Sequence, residues 1–117
     1  MAANPEFAEF LKEQMAGFGP VSIRRMFGGM GVFRDGLMFA LVSTDVLYFK
    51  TDEPGRDAFR AEGLAPFSYP TKTGEHTLTS YWRAPERCLD DPDEMRDWCR
   101  RAFDVALKSA KPKKKAR

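Results

Sequence analysis

Residues 90–110, DDPDEMRDWCRRAFDVALKSA, leave this chain few folds to choose from. Asp91 precedes Pro92 and Glu94 stands three residues after Asp91, the spacing of a helix start with a capping box and an acidic first turn. Met95, Trp98, Cys99, Ala102, Phe103, Ala106 and Leu107 then recur at three- and four-residue steps. One face of the predicted helix is therefore apolar along its length, and such a face needs another layer to cover.

The middle of the chain supplies that layer. Residues 31–51, GVFRDGLMFALVSTDVLYFKT, place Asp35-Gly36 and Thr44-Asp45 between β-prone runs, which predicts a meander of three or four antiparallel strands. VSIRRMF before it reads as an extended segment with Val21 and Ile23 on one face. Upstream, Asn4 precedes Pro5 in the order of an N-cap and a first helical position. Phe7, Phe10, Leu11, Met15 and Phe18 follow at helical spacing, so an amphipathic helix ends near Gly17 and Gly19 and Pro20 closes it. DEPGRDAFRAEG predicts a short helix within 54–61. EHTLTSYWRA alternates as a strand does, and Pro85 stops it.

A length of 117 residues with 43% hydrophobic content suits one domain with a real core. No apolar run approaches the ~20 residues that span a bilayer, and MAANPEFAEF has neither a basic n-region nor an apolar h-region, so a cytoplasmic location without membrane contact is expected. Cys88 and Cys99 lie outside any CxxC pair, and His76 is the single histidine; free reduced thiols and no zinc set follow. His76 has no nucleophile motif beside it and reads as a solvated residue at a strand start. Asp90, Asp91, Asp93 and Glu94 lack the EF-hand spacing and its glycine, and helix capping accounts for them. No catalytic residue, metal site or cofactor is expected.

Two places remain as candidate contact sites. RRMFGGMGVF sets Arg24 and Arg25 beside Gly28, Gly29 and Gly31. The loop runs toward a strand and hairpin rather than a helix, without GxGxxG or GxxxxGK[ST]. The glycines are therefore expected to serve a turn or bulge, with a small anion or ligand held by the arginines as the alternative. Tyr81 and Trp82 point to opposite faces of a strand, so one is expected in the core and the other near the surface, where beside Arg83 it would anchor a partner.

RRMFGGMGVFRDGLMFALVSTDVLYFKTD, then PFSY, then SYWRAPERCLDDPDEMRDWCRRA, occurring in this order, resembles the TfoX/Sxy N-terminal domain, named from bacterial regulators of competence genes. The resemblance implies an α+β fold, a two-layer sandwich of an antiparallel meander sheet with N- and C-terminal helices packed on it. It also implies a non-enzymatic regulatory domain whose partner is another protein, the transcription machinery by analogy with those regulators. The regulators carry a second, helical domain after this one, whereas here a lysine-rich segment follows Leu107.

Charge is unevenly spread. Residues 1–107, the expected domain, hold 13 Lys+Arg against 17 Asp+Glu and sum to −4, while 108–117, with six cations and no anion, are expected to be a basic, disordered tail. Lys108, Lys111, Lys113, Lys114, Lys115 and Arg117 are the candidate nucleic-acid contacts, and weak nonspecific binding through them is the alternative function. Neutralising about six phosphates sets a salt slope no steeper than roughly −5, a loss of about a thousandfold between roughly 50 and 200 mM salt. Any duplex binding seen in a gel shift should be nonspecific and vanish on deletion of residues 108–117; sequence preference in the truncated domain would contradict this.

Overall fold

The computed structural model describes residues 5–26 and 29–110, so the Asn4 cap and the tail beyond Ala110 lie outside the described residues. α1 (Pro5–Gln14) precedes β1 (Ser22–Met26), β2 (Gly29–Arg34), β3 (Leu37–Ser43) and β4 (Val46–Lys50). α2 (Arg56–Ala61), β5 (Pro66–Thr71), β6 (Gly74–Arg83), a 3₁₀ turn at Glu86–Leu89 and α3 (Pro92–Ala110) complete the chain. All neighbouring strands are antiparallel in the order β1-β2-β3-β4-β6-β5. The fold is the expected α+β sandwich, with helices at both ends of the chain lying against the sheet.

The two hairpins form where the sequence places them. Asp35 and Gly36 have φ of 53° and 79°, and Thr44 and Asp45 have 52° and 60°. Positive φ at both central residues is the turn whose twist matches that of the flanking strands. The meander, however, ends at β4. The chain then passes through α2 to the outer edge and returns, so that β6, not β5, lies beside β4. Sequence reading missed β5 because PFSYPT contains Pro66 and Pro70, which cannot donate to a ladder; the strand is tolerated because it is an edge.

One face of the sheet carries the core. Val32, Ala40, Phe49 and Trp82 oppose one another through successive pairings, and they are buried with Leu11, Met15, Met95, Cys99, Ala102 and Ala106 of the helical layer. The register between β2 and β3 slips after Val32, leaving Phe39 as an extra residue between Ala40 and Met38. A bulge of this kind turns neighbouring side chains to one side. Phe39 thus joins Ala40 in the core and meets Phe18 at 5.2 Å and Phe103 at 6.1 Å between ring centroids.

α3 holds this layer in place. Asp91 Oδ1 accepts the backbone N–H groups of Asp93 (2.9 Å) and Glu94 (3.4 Å), as the capping motif requires. The carboxylate of Glu94 is turned elsewhere: it accepts the Trp98 indole N–H at 3.0 Å and meets Arg87 Nε at 3.1 Å. Trp98 is only 5% exposed and packs on Phe59 at 5.0 Å. Leu107, expected in the core, is instead 44% exposed. Each four-residue step advances about 40° around a helix, so the series Cys99, Phe103, Leu107 walks from buried through half-buried to exposed. Cys88 and Cys99 are free and buried, and burial pushes the Cys88 thiol up to about 12 and the Cys99 thiol higher still.

Trp98→Ala should cost ~3–5 kcal/mol, read as a lower urea midpoint at unchanged slope. Leu107→Ala should stay within about 0.5 kcal/mol. Equal effects at the two positions would contradict the assignment of the buried arc.

Candidate functional site

The second face of the sheet has no helix over it among the described residues. Its residues follow from the register: Arg24 opposes Gly31, Leu41 opposes Tyr48, and Tyr48 and Lys50 oppose Arg83 and Tyr81. The face is not flat. Between Pro66 and Phe67 the β5–β6 register jumps from Trp82 to Leu78, so Thr79, Ser80 and Tyr81 have no partner in β5 and the hairpin bends. Only residues 81–83 of β6 pair with β4, and the rest of the strand reaches past it with β5 alone.

The bend makes a groove of about 490 Å³. Met26, Met38 and Leu41 line one wall, and Phe67, Tyr69, Leu78 and Tyr81 line the other. Rings run in a row along the hairpin: Tyr48 to Phe67 at 4.9 Å, Phe67 to Tyr69 at 5.6 Å and Tyr69 to His76 at 5.3 Å. Sequence reading passed over Met26, Met38, Leu41, Phe67, Tyr69 and Leu78. The available signal was LMFALVS, apolar at nearly every position, which marks a strand covered on both faces.

The expected site residues fall into three groups. Arg24 lies on the grooved face, its guanidinium 4.5 Å from the Phe33 ring centroid, whereas Arg25 opposes Met30 on the helical side and is exposed. The two arginines therefore do not converge on one anion. Gly29 and Gly31 sit inside β2 without positive φ, so the turn explanation does not apply to them; Gly28 lies outside the described residues. Close packing explains them instead. A Cβ on Gly29 would run into the Val42 carbonyl oxygen, and one on Gly31 would meet Met26 Sδ at 2.6 Å and Phe33 Cε1 at 2.8 Å.

Tyr81 and Trp82 do face opposite sides, but both are buried, at 7% and 6% exposure. Trp82 enters the core beside Phe59, and its indole N–H donates to the Thr79 carbonyl at 2.9 Å. Tyr81 is covered by the bent hairpin, and burial pushes its phenol up to about 12. Lys50 Nζ lies 5.2 Å from the Tyr81 ring centroid, and Arg83 is exposed on the same face. Lys108 belongs to the last turns of α3, with Nζ 3.7 Å from Asp52 Oδ2. Lys111, Lys113, Lys114, Lys115 and Arg117 lie outside the described residues.

With this arrangement in view, the family model of the TfoX N-terminal domain matches residues 13–106. The chain belongs to that family. The match takes in the whole sheet and all of α3 except its last residues. No curated protein matches the chain. No helix among the described residues of this TfoX-type domain is long and apolar enough to cross a membrane. No cluster of metal-ligating side chains occurs among them either.

Gly29→Ala should destabilise the domain by about 1–3 kcal/mol, because backbone stands in the way. Gly31→Ala should cost less, since only side chains stand in the way: the Met26 thioether end can swing aside and the Phe33 ring edge can tilt. Thermal melts of the two variants check the order, and a reversed order would contradict the packing explanation.

Proposed function

We propose that this TfoX-type domain is a non-enzymatic, cytoplasmic, regulatory protein-interaction module that holds its partner on the grooved face of the sheet. The groove itself carries this reading. A sheet of this size buries one face under helices, while the other keeps methionine, leucine and aromatic side chains at the surface around a concavity. Exposed apolar patches with polar surroundings mark interaction sites, and methionine-rich walls adapt to a partner's shape. The competence regulators from which the family takes its name act on transcription, and a partner in the transcription machinery is the reading that membership favours.

Chemistry finds less support. His76 lies exposed beside Tyr69, and both thiols are buried with pKa values pushed up, so neither thiol is a ready nucleophile.

A photo-crosslinking amino acid at Tyr69, which is 39% exposed, tests the reading against the same residue at Arg100 on the exposed side of α3. In native cytosol, one adduct should form from position 69 and none from position 100. The protein in that adduct, once identified and purified, should bind the unmodified chain and lose about tenfold or more on Leu41→Asp. Equal adducts from both positions, or an affinity indifferent to Leu41→Asp, would overturn the assignment of this face.

A further inference from the structure

Resting on that reading of the face, we infer that its occupant is an acidic segment of another protein, with an apolar anchor side chain flanked by carboxylates. The basis is the separation of charge between the strands and the rest of the domain. The six strands carry Arg24, Arg25, Arg34, Lys50 and Arg83 against Glu75 alone, a net of +4. Residues 1–107 sum to −4, so the part of them outside the strands holds −8. Pairing leans the same way, although Arg56, Lys72, Arg100 and Arg101, also outside the strands, form no ion pair among the described residues. Lys12, Arg60, Arg87, Arg96 and Lys108, all outside the strands, each meet a carboxylate. None of the five strand cations does so among the described residues.

Three of those unpaired cations share the grooved face. Arg24 is held over Phe33, Lys50 over Tyr81, and Arg83 stands exposed opposite Tyr48. Glu75, the one strand carboxylate, pairs with Pro70 and so points to the other side from Tyr69 and His76. An apolar trough on a face that also carries three cations without a carboxylate partner is complementary to an apolar anchor between carboxylates. The anchor fills the Met38, Leu41 and Leu78 walls. Its flanking carboxylates take charge-assisted hydrogen bonds that the domain leaves open.

Two other occupants fit less well. A second copy packed face to face would set this cationic face against another like it, since a twofold contact uses the same patch twice. Single-stranded nucleic acid needs exposed ring faces on which bases stack. Here Tyr48 and Phe67 meet edge to face at 65°, Tyr81 is buried, and Tyr69 alone of the groove's rings counts as an exposed large side chain.

Selection of random displayed dodecapeptides on the full chain tests the proposal. The recovered peptides should carry Phe, Trp or Leu flanked by Asp or Glu. A synthetic copy of the leading peptide, followed by fluorescence anisotropy, should lose about tenfold or more in affinity on combined charge reversal of Arg24, Lys50 and Arg83. It should also weaken as salt rises from about 50 to about 300 mM. Should the triple reversal fail to fold, Arg24→Gln and Arg83→Gln should each lower affinity about threefold in chains whose melting is unchanged.

Selection of neutral or basic peptides indifferent to these changes would overturn the acidic class while leaving the docking face to stand on the crosslinking result. Tighter binding of labelled oligothymidylate, lost on Tyr69→Ala, would overturn it in favour of nucleic acid. A dimer in solution that charge reversal dissociates would overturn it in favour of a second copy.

Discussion

The indole of Trp98 is the joint on which the helical layer depends. A buried ring of this size contributes much of the packing in a small core, but its N–H must be satisfied. Glu94 satisfies it from one turn back, and the same carboxylate meets Arg87 in the 3₁₀ turn. Arg87 in turn forks onto Glu62 just past α2, with both bonds at 2.7 Å, and this pairing draws the Glu62 carboxyl below its usual range. Three helical segments are thus tied around one ring. The joint also orients the sheet: Phe59, packed on Trp98, lies 6.1 Å from Trp82, which turns inward from β6. With Trp82 committed to the core, Tyr81 faces the other way, into the groove.

Covering one face has consequences for the other. Every carboxylate of the chain except Glu75 lies outside the strands, and several of them cap a helix or pair with cations that also lie outside the strands. On the grooved face, Arg24 and Lys50 meet aromatic rings and, among the described residues, no carboxylate. Cation–ring contacts at exposed sites are weak, about 0.5–1 kcal/mol, so they hold the side chains in place without using up their charge. The edge strands follow the same economy of partners. β5 is blunted by Pro66 and Pro70, and β1 carries arginines on both sides, devices that discourage pairing with a like strand.

Much of the architecture was readable without coordinates because it is encoded within short spans. The Asp35-Gly36 turn needs positive φ at two adjacent residues, which Asp-Gly advertises. Thr44-Asp45 adopts the same conformation despite a β-branched Thr and was legible from the β-prone runs on either side. The Asp91 cap and the arc from Met95 to Ala106 depend on spacing along a single helix. Where reading stopped short, a local rule competed with another: prolines hid β5, and a three-and-four-residue count carried Leu107 past the buried arc. The glycines of β2 show the same limit. Their number was plain, but the reason for Gly29 is the Val42 carbonyl on a neighbouring strand.

The sequence by itself therefore determined the α-helices and the strands other than β5, the two turns of the meander, the Asp91 cap and the family. Tertiary structure alone decided that β6 inserts beside β4, that the register jump after Pro66 bends the hairpin, and that Phe67 meets Tyr48 across the bend. It likewise decided that Tyr81 and Trp82 are both buried. The physical reason is range. Helical and hairpin periodicities are set by neighbours a few residues away, whereas the groove is made by side chains from β1, β3, β5 and β6 that no period along the chain relates.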